Sequence, residues 1–310
     1  MKPIRYAVEE YINMRCGLGY KLKYESKALN DFVSFLEREG SDHITTKLAL
    51  NWSTMPKNVQ PNWWARRLSM VRCFAKYMNT IDPKTEIPPL DLLPSHKQRP
   101  TPRIFSNDEI IQILKAAKTL PPATGLRRWT YYYFFGLLSV TGIRLSEAIN
   151  LDCEDIDLCK NTLSIRDTKF IKSRIVPIHI STSNKLKEYI QRRDTFFGRQ
   201  PGNSFFVSEN GTSLKVQTVL WTFRKIFKQL NLKTPPGSSG SRTHSFRHSF
   251  TVDTLMNCYR SGMDVDLCMT RLSAFLGHTC VTNTYWYLSA VPELLSLTTA
   301  LLEKREEELS

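Results

Sequence analysis

Apolar residues recur at helical spacing through the first third of the chain. Leu29, Phe32, Val33 and Leu36 stand at i, i+3, i+4 and i+7, the stripe of a helix with one buried face, and Gly40 is placed to end it. Trp64, Leu68, Val71, Ala75 and Met78 form a second stripe. The periodicity lapses between Ile87 and Pro102, where Pro88, Pro89, Pro94, Pro100 and Pro102 predict an extended linker. Ser106-Asn107-Asp108-Glu109 then reads as a capping box, with Ser106 capping and Glu109 reaching back. Helices are expected from there to about Leu151, interrupted at Thr141-Gly142. Over residues 156–178 the period changes from helix to strand. Residues 162–165 and 174–178 alternate, and the polar stretch 166–173 between them reads as a hairpin tip. Val216, Val219, Leu220, Phe223 and Phe227 restore the helical period. A loop over 233–242 leads to a last periodic stretch with Val252, Leu255, Met256 and Tyr259 on its buried side. The pattern predicts a mainly α chain with a small antiparallel sheet: a helical N-terminal domain over 1–95, a basic Pro-rich linker over 96–105, and a second domain over 106–310 ending in a tail helix.

Length supports that division, since 310 residues suffice for two separate cores. No apolar run is long enough to span a bilayer; the richest, 129–140, is short and carries three tyrosines. The first residues lead into mixed polar sequence, so neither a signal peptide nor a membrane partner is expected, and a cytoplasmic location is. Seven cysteines are scattered without a Cys-x-x-Cys pair, which reads as reduced thiols and neither staples nor zinc ligands.

The net charge of +14, with a pI near 9.5, points to a polyanionic partner. Many soluble proteins are basic without binding nucleic acid, so the distribution matters more than the total. Residues 62–78 hold Arg66, Arg67, Arg72 and Lys76 and no acid, and the linker holds Lys97, Arg99 and Arg103. These seven are candidate DNA-phosphate contacts; a solvated basic face is the alternative.

Three segments carry candidate chemistry. Thr141 to Glu147 (TGIRLSE) offers Arg144; His244-Ser245-Phe246-Arg247-His248 sets His244 and Arg247 three apart at a helix start; Leu276-Gly277-His278 precedes Tyr287 by nine positions from the histidine. Two arginines, two histidines and a tyrosine are the parts for attacking a phosphodiester. Guanidinium groups neutralise the non-bridging oxygens, imidazoles donate or move protons, and a phenol oxygen can be the nucleophile. Glu147 reads equally as an orienting group and as a helix cap. The leaving 5′ oxygen needs a proton, for which Lys169 on the hairpin tip is the candidate, with Lys172 and Arg174 as competitors and a merely solvated tip as the alternative. Tyr285 and Tyr287 both qualify as nucleophile on residue type. His244 and His248 have a spacing that can hold zinc, but no third ligand is in view, and neither metal nor cofactor is expected. His43 and His179 look incidental.

These segments resemble, in order, the motifs of the tyrosine recombinases, or phage-type integrases. Residues 141–147 resemble the family's first arginine box, Thr168-Lys169 with Arg174-Ile175-Val176-Pro177 its lysine hairpin, 244–248 its His-x-x-Arg box, and Leu276-Gly277-His278 with Tyr287 its final box. The resemblance implies a two-domain DNA clamp, with a helical core-binding domain and an α/β catalytic domain. It implies Arg144, Lys169, His244, Arg247, His278 and Tyr287 as the catalytic set, with Tyr287 as nucleophile. It also implies a 3′-phosphotyrosyl intermediate, a Holliday junction, and four protomers on double-stranded DNA with specific sites, serving a mobile element. Whether a second recombinase shares that assembly stays open. A type IB topoisomerase or telomere resolvase would use the same residues, and a non-catalytic DNA-binding module would need only the fold.

The spacing departs from compact members between Arg247 and His278, which stand 31 positions apart, and the extra length over 257–272 reads as an insertion away from the chemistry. After Tyr287, Pro292 can start a helix, and Leu294, Leu297 and Leu301 share a stripe ahead of an acidic tail. The resemblance implies that this segment docks on a neighbouring protomer; packing on its own domain is the alternative.

Overall fold

The computed structural model describes residues 4–94, 101–166, 173–233, 243–278 and 280–309. The chain divides into two compact units, Met1–Arg99 and Pro100–Ser310. The described residues of the first unit form four helices: α1 (Ile4–Gly17), α2 (Lys23–Arg38), α3 (Thr46–Thr54) and α4 (Pro61–Asn79). Both apolar stripes point inward. Phe32, Val33 and Leu36 from α2 and Val71, Phe74 and Ala75 from α4 are fully buried together with Trp52 of α3. Gly40 takes a φ of +65° just past α2, as its position suggested.

The second unit opens on α5 (Asn107–Ala117), whose Ser106 and Glu109 form the expected reciprocal cap. Then come α6 (Arg127–Thr141), α7 (Leu145–Ile149), the strands β1 (Ile156–Asp157), β2 (Thr162–Ile165) and β3 (Arg174–Pro177), and the helices α8 (Ile180–Phe197), α9 (Val216–Gln229), α10 (His244–Arg260), α11 (Val265–Leu276), α12 (Thr282–Ala290) and α13 (Pro292–Leu309). The sheet is antiparallel in the order β1-β2-β3, with Leu163 opposite Val176 and Ile165 opposite Arg174. That register places Arg174 at the end of the strand pair next to the segment that joins β2 to β3. The fold is mainly α with a small antiparallel sheet.

Aromatic packing fixes the start of α10. Phe246 is fully buried and meets the rings of Phe105, Phe135 and Phe223 at centroid distances of 5.3, 5.8 and 5.7 Å. The Phe105 N–H donates to Ser249 Oγ at 2.6 Å, which ties the first residues of the unit to the same helix. Phe105 and Arg103, assigned to the linker on sequence, therefore already take part in the second unit, and Arg103 pairs with Glu109.

One expectation changes. Cys258 on α10 and Cys268 on α11 form a disulfide, so the cysteines are not all free thiols; the other five are free. Ten positions apart in sequence, the two are brought together by the α10–α11 hairpin, a proximity that spacing in the chain does not reveal. Residues 257–272 are helical for most of their length, forming the end of α10 and much of α11. Pro292 begins α13, and Leu294 is fully buried in a cluster with Val252, Leu255 and Tyr287 of the same unit. The start of the tail helix thus packs on its own domain. Among the described residues, no helix is long and apolar enough to cross a membrane.

Candidate active site

Two helix C-termini meet here and supply carbonyls that no helix turn can use. α6 ends on Gly142, at a φ of +59°, and α11 ends on Gly277, at +66°. Three successive carbonyls at the end of α11 each accept from a different arginine. Phe275 O takes Arg174 Nε, Leu276 O takes Arg247 Nη2, and Gly277 O takes Arg144 Nη2, each at 2.8 Å. Arg247 Nη1 donates to Gly142 O at 2.9 Å, so one guanidinium bridges both helix ends. The negative ends of two helix dipoles favour cations at this point. A Cβ at Gly277 would lie 2.8 Å from Arg174 Nη1, so a side chain there would displace that guanidinium as well as strain the backbone.

Glu147 balances this concentration of charge. Its carboxylate accepts from the Arg144 N–H at 2.8 Å and Arg144 Nη1 at 2.7 Å, and from Arg174 Nη1 and Nη2 at 3.1 and 2.8 Å. Burial opposes its charge, but the hydrogen bonds from Arg174 and the Arg144 N–H win and hold the carboxyl down to about 2. Glu147 therefore does both things its position allowed, capping α7 and orienting two arginines. Arg247 is buried, and desolvation, with Arg144 nearby, lowers its guanidinium to about 10, so it stays charged at neutral pH. The Arg144 side chain is the more open, at 31% exposure against 13% for Arg174.

His278 follows directly on this carbonyl run, and its Nδ1 lies 2.7 Å from Thr284 Oγ1. Burial and then Arg247 push its pKa down to about 4. Tyr287, buried on α12, has its Oη 2.7 Å from His248 Nδ1. Burial, reinforced by His244 and Arg247, lowers His248 to about 3. The His244 ring meets His248 edge-on at 4.6 Å, and His244 itself is exposed. Tyr285 faces elsewhere: it is 43% exposed and bonds Asp266 at 3.2 Å.

The structure thus brings Arg144, Arg247, His278 and Tyr287 together, with His244 beside His248. Lys169 and its competitor Lys172 lie outside the described residues, as do Lys97 and Arg99. Among the described residues, no group of three His, Cys, Asp or Glu side chains could hold a metal, which leaves the His244–His248 spacing without a third ligand. Arg174, weighed on sequence only as a proton donor, is bonded to Glu147 and Phe275 instead. The link from His248 to Tyr287 was not read from sequence; the one available signal was that His248 shares a helix face with His244.

The basic residues of the first unit are not equivalent. Arg67 stacks on the Trp52 ring at 3.6 Å and donates to its carbonyl at 3.0 Å, and its side chain is only 11% exposed. Arg72 donates to the carbonyls of Pro88 and Pro89 at 2.7 and 2.6 Å. Both are engaged in holding the unit together, whereas Arg66 and Lys76 are exposed.

Comparisons with known proteins place the chain in a family. The model of the phage integrase family matches residues 103–293. A Sinorhizobium fredii protein that carries the name integrase/recombinase y4rB is 43% identical, over 99% of this chain and 99% of its own length. The tyrosine recombinase XerC of Chlamydia caviae is 28% identical, over 91% of this chain and 92% of its own. Among solved structures, the Tn1549 transposon integrase in complex with transposon right end DNA matches with a TM-score of 0.66 at 16% identity, covering 93% of this chain and 94% of that one. A lambda integrase dimer bound to a core site matches with a TM-score of 0.57 at 17% identity, covering 89% and 95%. With the family model spanning most of the second unit and a full-length relative at this identity, the chain belongs to the phage integrase family, the tyrosine recombinases, enzymes that break and rejoin DNA strands.

Proposed function

We propose that this chain is a site-specific recombinase that cleaves and rejoins double-stranded DNA through Tyr287, in the service of a mobile element. The observation that carries the reading is the convergence of Arg144 and Arg247 on the end of α11, beside His278 and the buried Tyr287 phenol. In this reading Tyr287 Oη attacks phosphorus, forms a 3′-phosphotyrosyl bond and releases a 5′ hydroxyl. Arg144 and Arg247 hold the two non-bridging oxygens as charge grows on them. His278 takes a proton on Nε2 when its Nδ1 accepts from the Thr284 hydroxyl, and so becomes a neutral donor to the same phosphate. His244 supplies a further donor, and Lys169 protonates the leaving 5′ oxygen. The 5′ hydroxyl of a partner duplex reverses the step, and a second round resolves the Holliday junction. Bond energy is kept in the phosphotyrosine, so neither ATP nor a metal is consumed.

Residues 1–95 act as the core-binding domain and residues 106–310 as the catalytic domain. Arg66 and Lys76 on α4 contribute phosphate contacts in the first, with the linker residues Lys97 and Arg99 between them. Four protomers assemble on DNA in the cytoplasm. A role for a mobile element is supported by the name of the y4rB relative and by the transposon integrase among the structural neighbours. The test is recombination of a plasmid that carries two copies of the DNA flanking this chain's own locus, with the full chain in EDTA and without nucleotide. Recombinant circles are expected. Relaxation of supercoils without exchange would instead establish a topoisomerase.

A further inference from the structure

A phenol ionises near pH 10 and must lose its proton to become a competent nucleophile. We propose that His248, the residue that follows Arg247, is the group that accepts the Tyr287 proton during cleavage and returns it during rejoining. The inference rests on the reading of Tyr287 as nucleophile.

The geometry is direct. His248 Nδ1 and Tyr287 Oη stand 2.7 Å apart, and the two rings lie 5.6 Å centre to centre. His244 meets the His248 ring edge-on at 4.6 Å, and Trp286 packs against it at 6.0 Å. The imidazole is therefore braced from its own helix and from α12, the helix that carries the tyrosine. Tyr287 is 3% exposed, so bulk water has little access to its hydroxyl.

The ring is also in the right state. The groups that act on its charge are the Tyr287 phenol facing it from α12 and His244 and Arg247 on its own helix. Burial first, then the neighbouring His244 and Arg247, keep it neutral across ordinary pH, with its Nδ1 lone pair available to the phenol O–H. In the free protein it is a weak base. A bound phosphate brings negative charge beside Arg247, offsets the cations, and raises the basicity of the imidazole when the proton must move.

The proton inventory closes. As the Oη–P bond forms and the P–O5′ bond breaks, the phenol proton passes to His248 Nδ1 and makes an imidazolium. The departing 5′ oxygen takes its proton from a separate acid. In rejoining, the incoming 5′ hydroxyl attacks phosphorus, the Oη–P bond breaks, and His248 gives its proton back to Oη.

The experiment measures the rate of covalent adduct formation between the full chain and a nicked suicide substrate, from mildly acidic to mildly alkaline pH. In His248→Ala the rate at neutral pH should fall about 100-fold. The remaining rate should climb with pH, because hydroxide must then take the proton. His248→Gln keeps a hydrogen-bond acceptor that cannot hold a proton, and it should be as slow as the alanine variant. A fluorinated tyrosine at position 287, which ionises near neutrality, should restore most of the lost rate in either variant. A wild-type rate in His248→Ala, full recovery in His248→Gln, or a loss that fluorotyrosine does not repair would each overturn the proposal. Tyr287→Phe runs beside them: an adduct in that variant would show that the nucleophile assignment itself is at fault, whatever His248 does.

Discussion

Arg144 Nη2 donates to the carbonyl of Gly277 at 2.8 Å, a single hydrogen bond between positions 133 apart in the chain. It joins the first arginine segment to the histidine segment and makes the placement of one depend on the backbone of the other. Gly277 holds a φ of +66° and leaves no room for a Cβ beside Arg174. Gly277→Ala is therefore expected to displace Arg174 and Arg144 together. Cleavage of a suicide substrate should fall by at least about tenfold, which corresponds to about 1.4 kcal/mol, while affinity for duplex DNA changes little. Unchanged cleavage would show that the arginines do not depend on this backbone.

Glu147→Gln removes the one carboxylate shared by Arg144 and Arg174. Breaking a buried pair in this way costs about 3 kcal/mol, because the cations stay behind without their counter-charge. Urea unfolding should show that loss in the transition of the second unit alone. A variant as stable as the parent would mean that the arginines find other partners.

Much of this was legible in the sequence. The α2 and α4 stripes, the Ser106 cap, the two longer strands and the break at Gly142 follow from local periodicity and turn chemistry, which are properties of contiguous residues. The identities of Arg144, Arg247, His278 and Tyr287 could be picked out because each sits in a short segment of recognisable chemistry. What could not be read were relationships across the fold. Arg67 and Arg72 look like surface cations in a basic stretch, yet Trp52 and two proline carbonyls claim them. Arg174 reads as the first residue of a strand and a competitor for the proton-donor role, but antiparallel pairing with Ile165 delivers it to Glu147. The Cys258–Cys268 bond and the His248–Tyr287 contact need the α10–α11 and α10–α12 packing that only the folded chain provides.

Stability should fall on acidification in two stages. His248 and His278 are held down to about 3 and about 4 from an ordinary value of 6.5. Between pH 6.5 and those values the unfolded chain binds protons that the folded chain refuses, so the stability present above pH 6.5 is progressively lost. Glu147, lowered from 4.5 to about 2, adds a second loss below pH 4.5. The melting temperature of the second unit should drop steadily from neutral pH downward, and His278→Gln should flatten the upper stage. A melting temperature that is flat through the histidine window would contradict the buried, neutral rings.

DNA affinity should weaken steeply with salt, with a log–log slope of about −0.9 for each phosphate contact. Arg66→Ala and Lys76→Ala should each reduce that slope by about one contact's worth. Arg67→Ala should instead lower the stability of the first unit, since its guanidinium packs on Trp52. Equal slopes in all three variants would remove α4 from the DNA-contacting surface.

The most direct measurement is to trap the protein on a nicked duplex that carries its site, digest the adduct, and identify the modified peptide by mass spectrometry. The DNA 3′ end should be found on Tyr287, and Tyr287→Phe should bind the same duplex without forming any adduct. An adduct that persists in Tyr287→Phe, or that maps to the exposed Tyr285, would contradict the assignment of the reacting oxygen.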